Sequence, residues 1–277
     1  MCIRDSSWDE RVAVSLGAKV GVNNWSGFEY QPSFRFLVKP VENHSVWGAV
    51  SRAVRLPTQV DRDVRIGIGP LLLTGSNDSR GEDLTAFELG YRFSFLERLT
   101  TELSLYYNLY ENARAFAFVS PGVIRFVNQG RASSRGLELE TKLRLTDWWT
   151  ATVGYAFFDV DEDFPGNNLV FTPAKGANPD HQVVLHQRFD VGDQVSFDAS
   201  IFYIDSLSRQ VPAGETGNID NYVRLDLRAA YRPLDWLELA LVGQNLTDPR
   251  HYEYADIQLA ESSQVPRTVH GSVWIEF

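Results

Sequence analysis

The feature that most constrains this chain is a two-residue alternation of apolar and charged side chains, repeated along nearly its whole length. In YVRLDLRAAYR, residues 222–232, Val223, Leu225, Leu227, Ala229 and Tyr231 fall on one side, and Arg224, Asp226, Arg228 and Arg232 on the other. GLELETKLRL, residues 136–145, repeats the pattern: Leu137, Leu139, Leu143 and Leu145 oppose Glu138, Glu140, Lys142 and Arg144. Successive side chains of a strand point to opposite faces, whereas a helix would scatter both sets around its circumference. The alternation predicts strands over about 11–22, 30–39, 45–54, 84–95, 99–111, 126–145, 148–159, 181–190, 193–205, 219–232, 235–246 and 266–277, and no helix. Residues 1–10, MCIRDSSWDE, fit neither a strand nor a signal peptide and read as a non-native or disordered leader. Residues 11–277 contain no linker and no repeat of fixed period, so they read as one all-β unit.

Connection lengths alternate as well. Tight turns at KPVENH (39–44), SFLERL (94–99), LTDWW (145–149), DVGDQ (190–194) and RPLDW (232–236) are separated by longer connections over about 55–83, 112–125, 160–180, 206–218 and 247–265. In an antiparallel up-and-down meander, alternate turns lie at opposite ends. One end is therefore trimmed and the other elaborated, as in transmembrane barrels. Many of the strands run to about 10–13 residues, beyond the usual length of about 5–6 and suited to a tilted membrane crossing of about 9–11.

Charge decides which face is wet. Arg or Lys at the lipid midplane costs roughly 2–4 kcal/mol, so a lipid-facing stripe excludes them while a water-filled lumen does not. The clearest apolar stripes carry no charge, and the opposing stripes mix both signs. Aromatics gather near strand ends: Tyr91, Phe93, Trp149, Phe189 and Tyr231 toward the short turns, and Tyr107, Tyr155, Phe157 and Tyr203 toward the longer connections. Two such girdles are expected at the two membrane interfaces. The fold expectation is an antiparallel up-and-down transmembrane β-barrel of about twelve meander strands. The competing readings are a soluble β-sandwich, which would bury the apolar face between two sheets, and a self-contained outer-membrane channel of about the same strand number.

Composition excludes other classes. A net charge of −10 and a pI near 5.0 disfavour nucleic acid as a partner. No run approaches the roughly 18 apolar residues of a spanning helix, and the single cysteine, Cys2, cannot form an internal disulfide. The five histidines lack metal-ligand spacing, and the chain has neither a phosphate-binding glycine loop nor a nucleophile elbow. The expectation is a protein that is not an enzyme and holds no cofactor or metal.

Several stretches carry a family resemblance: VSRAVRLPT (50–58), FELGYR (87–92), NQGRASSRGLELE (128–140), VGYAFFD (153–159), NPDHQ (178–182), LDLRAAYRP (225–233), LVGQNLTDPRHYEY (241–254) and the closing VPRTVHGSVWIEF. In order and spacing they resemble the C-terminal half of the barrel of TonB-dependent outer-membrane receptors. The complete proteins of that family carry a plug domain inside a barrel of about 22 strands, so the chain reads as part of such a barrel. The resemblance implies energised uptake of a scarce nutrient chelate, such as a ferric siderophore or cobalamin, across the bacterial outer membrane. It also implies coupling to TonB through the N-terminal plug region, and places the longer connections outside the cell.

Site expectations follow from that frame. Rigid barrels present recognition on their connections, and Arg62 and Arg65 in the first long connection, with Arg250 and Tyr252 in the last, are candidate contacts for an anionic, aromatic chelate. In the last strand Val273, Ile275 and Phe277 share the lipid-facing stripe with Val269. A terminal aromatic on such a strand resembles the signal by which the barrel assembly machinery recognises its substrates.

Overall fold

The computed structural model describes residues 2–8, 11–165, 169–171, 177–209, 217–253 and 264–276. Strands β1 (Cys2–Trp8), β2 (Val12–Asn23), β3 (Gly27–Val38) and β4 (His44–Arg55) lead to a five-residue helix, α1 (Gln59–Asp63), and to two short strands, β5 (Arg65–Ile68) and β6 (Leu71–Thr74). There follow β7 (Glu82–Phe95), β8 (Leu99–Ser120), β9 (Val123–Arg144), β10 (Trp149–Asp163), β11 (Leu169–Phe171), β12 (His181–Val191) and β13 (Val195–Ile204). The remainder comprises β14 (Leu207–Arg209), β15 (Gly217–Ile219), β16 (Tyr222–Leu234), β17 (Leu237–Gln244), β18 (Arg250–Tyr252), β19 (Gln264–Pro266) and β20 (Thr268–Ile275).

The long strands form one antiparallel meander in the order β1-β2-β3-β4-β7-β8-β9-β10-β12-β13-β16-β17-β20. Register keeps like with like. Leu89, Leu105, Leu137 and Phe157 sit opposite one another across β7, β8, β9 and β10. A one-residue slip would turn every apolar side chain to the charged face, which is why alternation this regular specifies its own pairing. Among the described residues the sheet does not close on itself: β1 and β20 each pair on one side only.

The apolar face is not covered. Leu139, Leu239 and Leu241 keep 36%, 41% and 59% of their surface exposed. On the opposite face Arg228, Glu238 and Asp198 are half-buried in ion pairs. Among the described residues no second sheet packs on the apolar stripe, which is not the arrangement of a sandwich. On β8 the charge-free outer stripe runs from Leu99 to Leu109, ending at Glu111; that length fits a tilted crossing of about 9–11 residues.

On the charged face, aromatic rings lie over glycines on the neighbouring strand. Trp47 is directly opposite Gly90, and Tyr106 directly opposite Gly136. A Cβ at either glycine would overlap the indole or the phenol ring. Each ring thus fills the space its partner leaves, a cross-strand pairing that stiffens the sheet.

All twelve predicted strands are present, and the departures lie elsewhere. Cys2–Trp8, where no strand was expected, pairs with Val12–Ala18 as the edge strand β1. The expected absence of helix is corrected by α1. The expected connection over 112–125 is corrected too, because β8 and β9 continue as 22-residue strands to a tight turn at Pro121–Gly122. Gly122 takes φ +75° there, a left-handed conformation that glycine adopts without strain. The extension has a bulge at its base: Asn112 sits at φ +57° and the pairing shifts between Glu111 and Arg114. Asparagine tolerates that conformation better than most residues.

Candidate functional site

The elaborated end holds two side-chain clusters and overlooks a charged groove. The first cluster is a canopy built by residues 56–81 on the extended β8–β9 hairpin. Thr58 starts α1 with a reciprocal capping box: Asp61 N–H donates to Thr58 Oγ1 at 3.2 Å, and Thr58 N–H donates to Asp61 Oδ2 at 2.8 Å. β5 and β6 form a hairpin, and β6 adds in parallel to the free edge of β9, Leu72–Thr74 beside Val123–Arg125. β11 joins β8 at the other edge. Arg114, Phe116, Ile124 and Phe126 share one face of the hairpin; Ile124 and Phe126 are buried there, with the Arg114 guanidinium 4.9 Å from the Phe126 ring.

Asp61 is the hub of the canopy and is only 3% exposed. Its carboxylate accepts from Arg114 on β8, from Arg55 at the end of β4 (3.4 Å) and from the Thr58 hydroxyl (2.8 Å). Its backbone carbonyl accepts from Ser76 N–H and from the buried Ser79 hydroxyl. Burial works against charge on Asp61, but the Thr58 N–H and Arg114 outweigh it and hold the carboxyl below the usual carboxylate range.

The second cluster lies where β17 runs out. Asn245, at φ +54° and fully buried, donates its N–H to Asp226 Oδ1 at 2.9 Å and its side-chain amide to Val265 O at 3.1 Å. Thr247 Oγ1 donates to Val223 O at 2.6 Å, so the segment folds back along β16. The buried ring of His251 on β18 stacks on Tyr222 at 4.1 Å and lies 3.2 Å from Glu253 Oε1.

Toward the short turns, the charged face forms a groove of about 520 Å³. Arg228 bridges Asp198 and Glu238, Glu238 also accepts from Arg232 at 2.9 Å, and His186 Nδ1 meets Ser200 Oγ at 2.8 Å. Such mixed-sign pairs allow a wetted inner surface to carry charge without a net field.

The predicted site residues divide between the two clusters. Arg62, on α1, lies over the Trp25 ring at 5.1 Å and is half-buried. Arg65 opens β5 opposite Thr74 and is exposed. Arg250 and Tyr252 are exposed on β18, opposite Pro266 and Gln264. The two pairs are not brought together, because β10, β12 and β13 separate β9, which carries the canopy, from β16, which carries the His251 cluster. Val273 and Ile275 are exposed on the apolar face of β20, opposite Leu239 and Leu237. Phe277 lies outside the described residues. Sequence reading missed Asp61, Arg114 and Asn245; the TQVD spacing at 58–61 is the one signal that could have marked Asp61.

An exposed apolar face, a paired charged face, trimmed turns at one end and folded loops at the other together define the wall of an outer-membrane type transmembrane β-barrel. The sequence profile of the family described as TonB dependent receptor-like, beta-barrel, matches residues 5–246, and the chain belongs to that family. A curated relative is the probable TonB-dependent siderophore receptor PiuA of Acinetobacter baumannii, 24% identical in an alignment 258 residues long that covers 87% of this chain and 33% of the relative. The chain thus spans about a third of that relative's length. Among solved structures, the siderophore receptor PirA from Acinetobacter baumannii matches with a TM-score of 0.79 at 16% identity, covering 99% of this chain and 45% of that one. A mutant ferric enterobactin receptor, PfeA from Pseudomonas aeruginosa, in complex with enterobactin, matches with a TM-score of 0.80 at 15% identity, covering 99% and 44%.

Proposed function

We propose that this chain is the C-terminal part of the barrel wall of a receptor in the bacterial outer membrane, one that takes up a scarce nutrient chelate of the ferric siderophore class. The observation that carries the reading is the inverted burial of the wall. Large apolar residues such as Leu241 face outward and stay exposed, while Arg228, Asp198 and Glu238 pair on the inner face. Only a chain surrounded by lipid and enclosing water makes that arrangement favourable. Family membership and the siderophore receptors among its relatives support the transport role.

In this reading the short turns are periplasmic and the canopy is extracellular. TonB acts through the N-terminal plug region of the complete receptor, and the assembly machinery reads the closing stripe of Val273, Ile275 and Phe277. Arg62, Arg65, Arg250 and Tyr252 stand on the extracellular side, from which a chelate would arrive. The test is uptake of radiolabelled ferric chelates by iron-starved cells with and without the complete receptor. Uptake of at least one siderophore class should require the receptor, and uptake indifferent to it across the panel would refute the reading. Within the complete receptor, Arg250→Ala with Tyr252→Ala should weaken binding of that chelate; unchanged affinity would remove these two residues from the site.

A further inference from the structure

We propose that Asp61 is a latch that locks the canopy onto the β8–β9 hairpin, and that residues 56–81 lift as a unit when its ion pairs are broken. The inference concerns local opening and stands whether or not the protein carries a chelate.

The canopy touches the rest of the chain through a few identifiable ties. The β6–β9 ladder contributes three residue pairs, with Leu72 N–H donating to Gly122 O at 2.8 Å beside it. Thr74 Oγ1 donates to Ile124 O at 3.3 Å, and Arg80 N–H donates to Asn128 Oδ1 at 3.0 Å. The ladder and Thr74 reach the hairpin from β6, Arg80 meets Asn128 opposite Arg114, and Arg62 rests on the Trp25 ring at 5.1 Å. At the α1 end, the tie to β8 is the pair between Asp61 and Arg114.

Asp61 joins both levels of organisation. Its carboxylate binds outward to Arg114 and Arg55, while its backbone carbonyl and the Thr58 box hold the canopy together internally. A short ladder along one edge acts as a hinge, and a buried ion pair at the far end acts as its catch. Removing one partner of such a pair leaves the other charge without its compensation, which favours opening far more than the loss of a surface pair would. Arg55 moderates the effect because it also pairs with Glu82. The groups facing Asp61 are thus Arg55 from β4, Thr58 from α1, Arg114 from β8 and, through Arg55, Glu82 from β7. Opening would uncover the apolar face that carries Ile124 and Phe126.

The test is protease accessibility on outer-membrane preparations carrying the full chain, with cut sites mapped by mass spectrometry. Asp61→Asn should speed cleavage within 56–81 by about tenfold, the scale of a lost charged hydrogen bond, and leave the short turns uncut. Arg114→Met should do the same, and Arg55→Met should have a smaller effect. Cleavage in 56–81 unchanged in both Asp61→Asn and Arg114→Met overturns the latch. Cleavage raised equally in the short turns overturns it as well, since the canopy would then not move separately from the wall.

Discussion

The wall and the canopy obey opposite burial rules within one chain. In the wall, leucines are the exposed residues, and the charged side chains gather into half-buried pairs. Under the canopy, Ile124 and Phe126 of the hairpin are buried as in a soluble protein, and one canopy carboxylate, Asp61, is sealed in with its arginines. The difference comes from the surroundings. Between the girdles the outer medium is hydrocarbon, so apolar burial comes from lipid and not from a protein core. Beyond the girdles both faces meet water, and the hairpin must find its own cover.

The sharpest way to break the comparison is to move charge between the wall's two faces. Leu139→Arg places a cation in the apolar band and should cost roughly 2–4 kcal/mol, seen as a collapse in the fraction that folds into vesicles. Glu138→Arg, one residue away on the inner face, should cost under about 1 kcal/mol. Equal losses for the two would show that the faces do not meet different media. Packing comes next. Gly136→Val drives a side chain into the Tyr106 ring and against the Phe157 carbonyl, and should lower stability by about 1–3 kcal/mol in denaturant titrations.

Acid should separate the canopy from the wall. The Asp61 carboxyl is held below its unfolded value, so its stabilisation is complete above the ordinary carboxylate range near about pH 3.9 and is lost as pH falls through the lower folded value. Hydrogen-exchange protection of residues 56–81, corrected for intrinsic rate, should therefore be flat between about pH 7 and about pH 5 and fall only in stronger acid. A fall already under way near about pH 6 would assign the control to another group. The smallest effect belongs to the groove. Arg228→Met loses pairs to Asp198 and Glu238 in a wetted lumen and should cost about 0.5–1 kcal/mol, shrinking as salt rises.

Much of the wall was legible because its signal is local and repetitive. Each strand reports its own two faces, and Leu137, Leu139, Glu138 and Glu140 alone orient β9. The canopy was not legible for the converse reason. Its strands are three or four residues long, too short for a period to emerge, and Asp61 looks like any solvated loop carboxylate until Arg114, 53 positions away in the chain, is placed beside it. The segment 112–125 failed as a strand assignment because AFAFVSPGVIRFV lacks the polar alternation of a lipid-bounded strand. Arg62 and Arg250 were chosen by residue type, but their separation depends on the strand order between them.

The amino-acid sequence by itself determined the long strands of the wall and which face tolerates lipid, because those follow from side-chain chemistry at a period of two. Only the tertiary structure decided that β8 and β9 rise past the membrane, that β6 docks on their edge, and that Asp61 is buried with its arginines. Those features depend on contacts between distant parts of the chain, where the gain comes from excluding water between surfaces that no local pattern brings together.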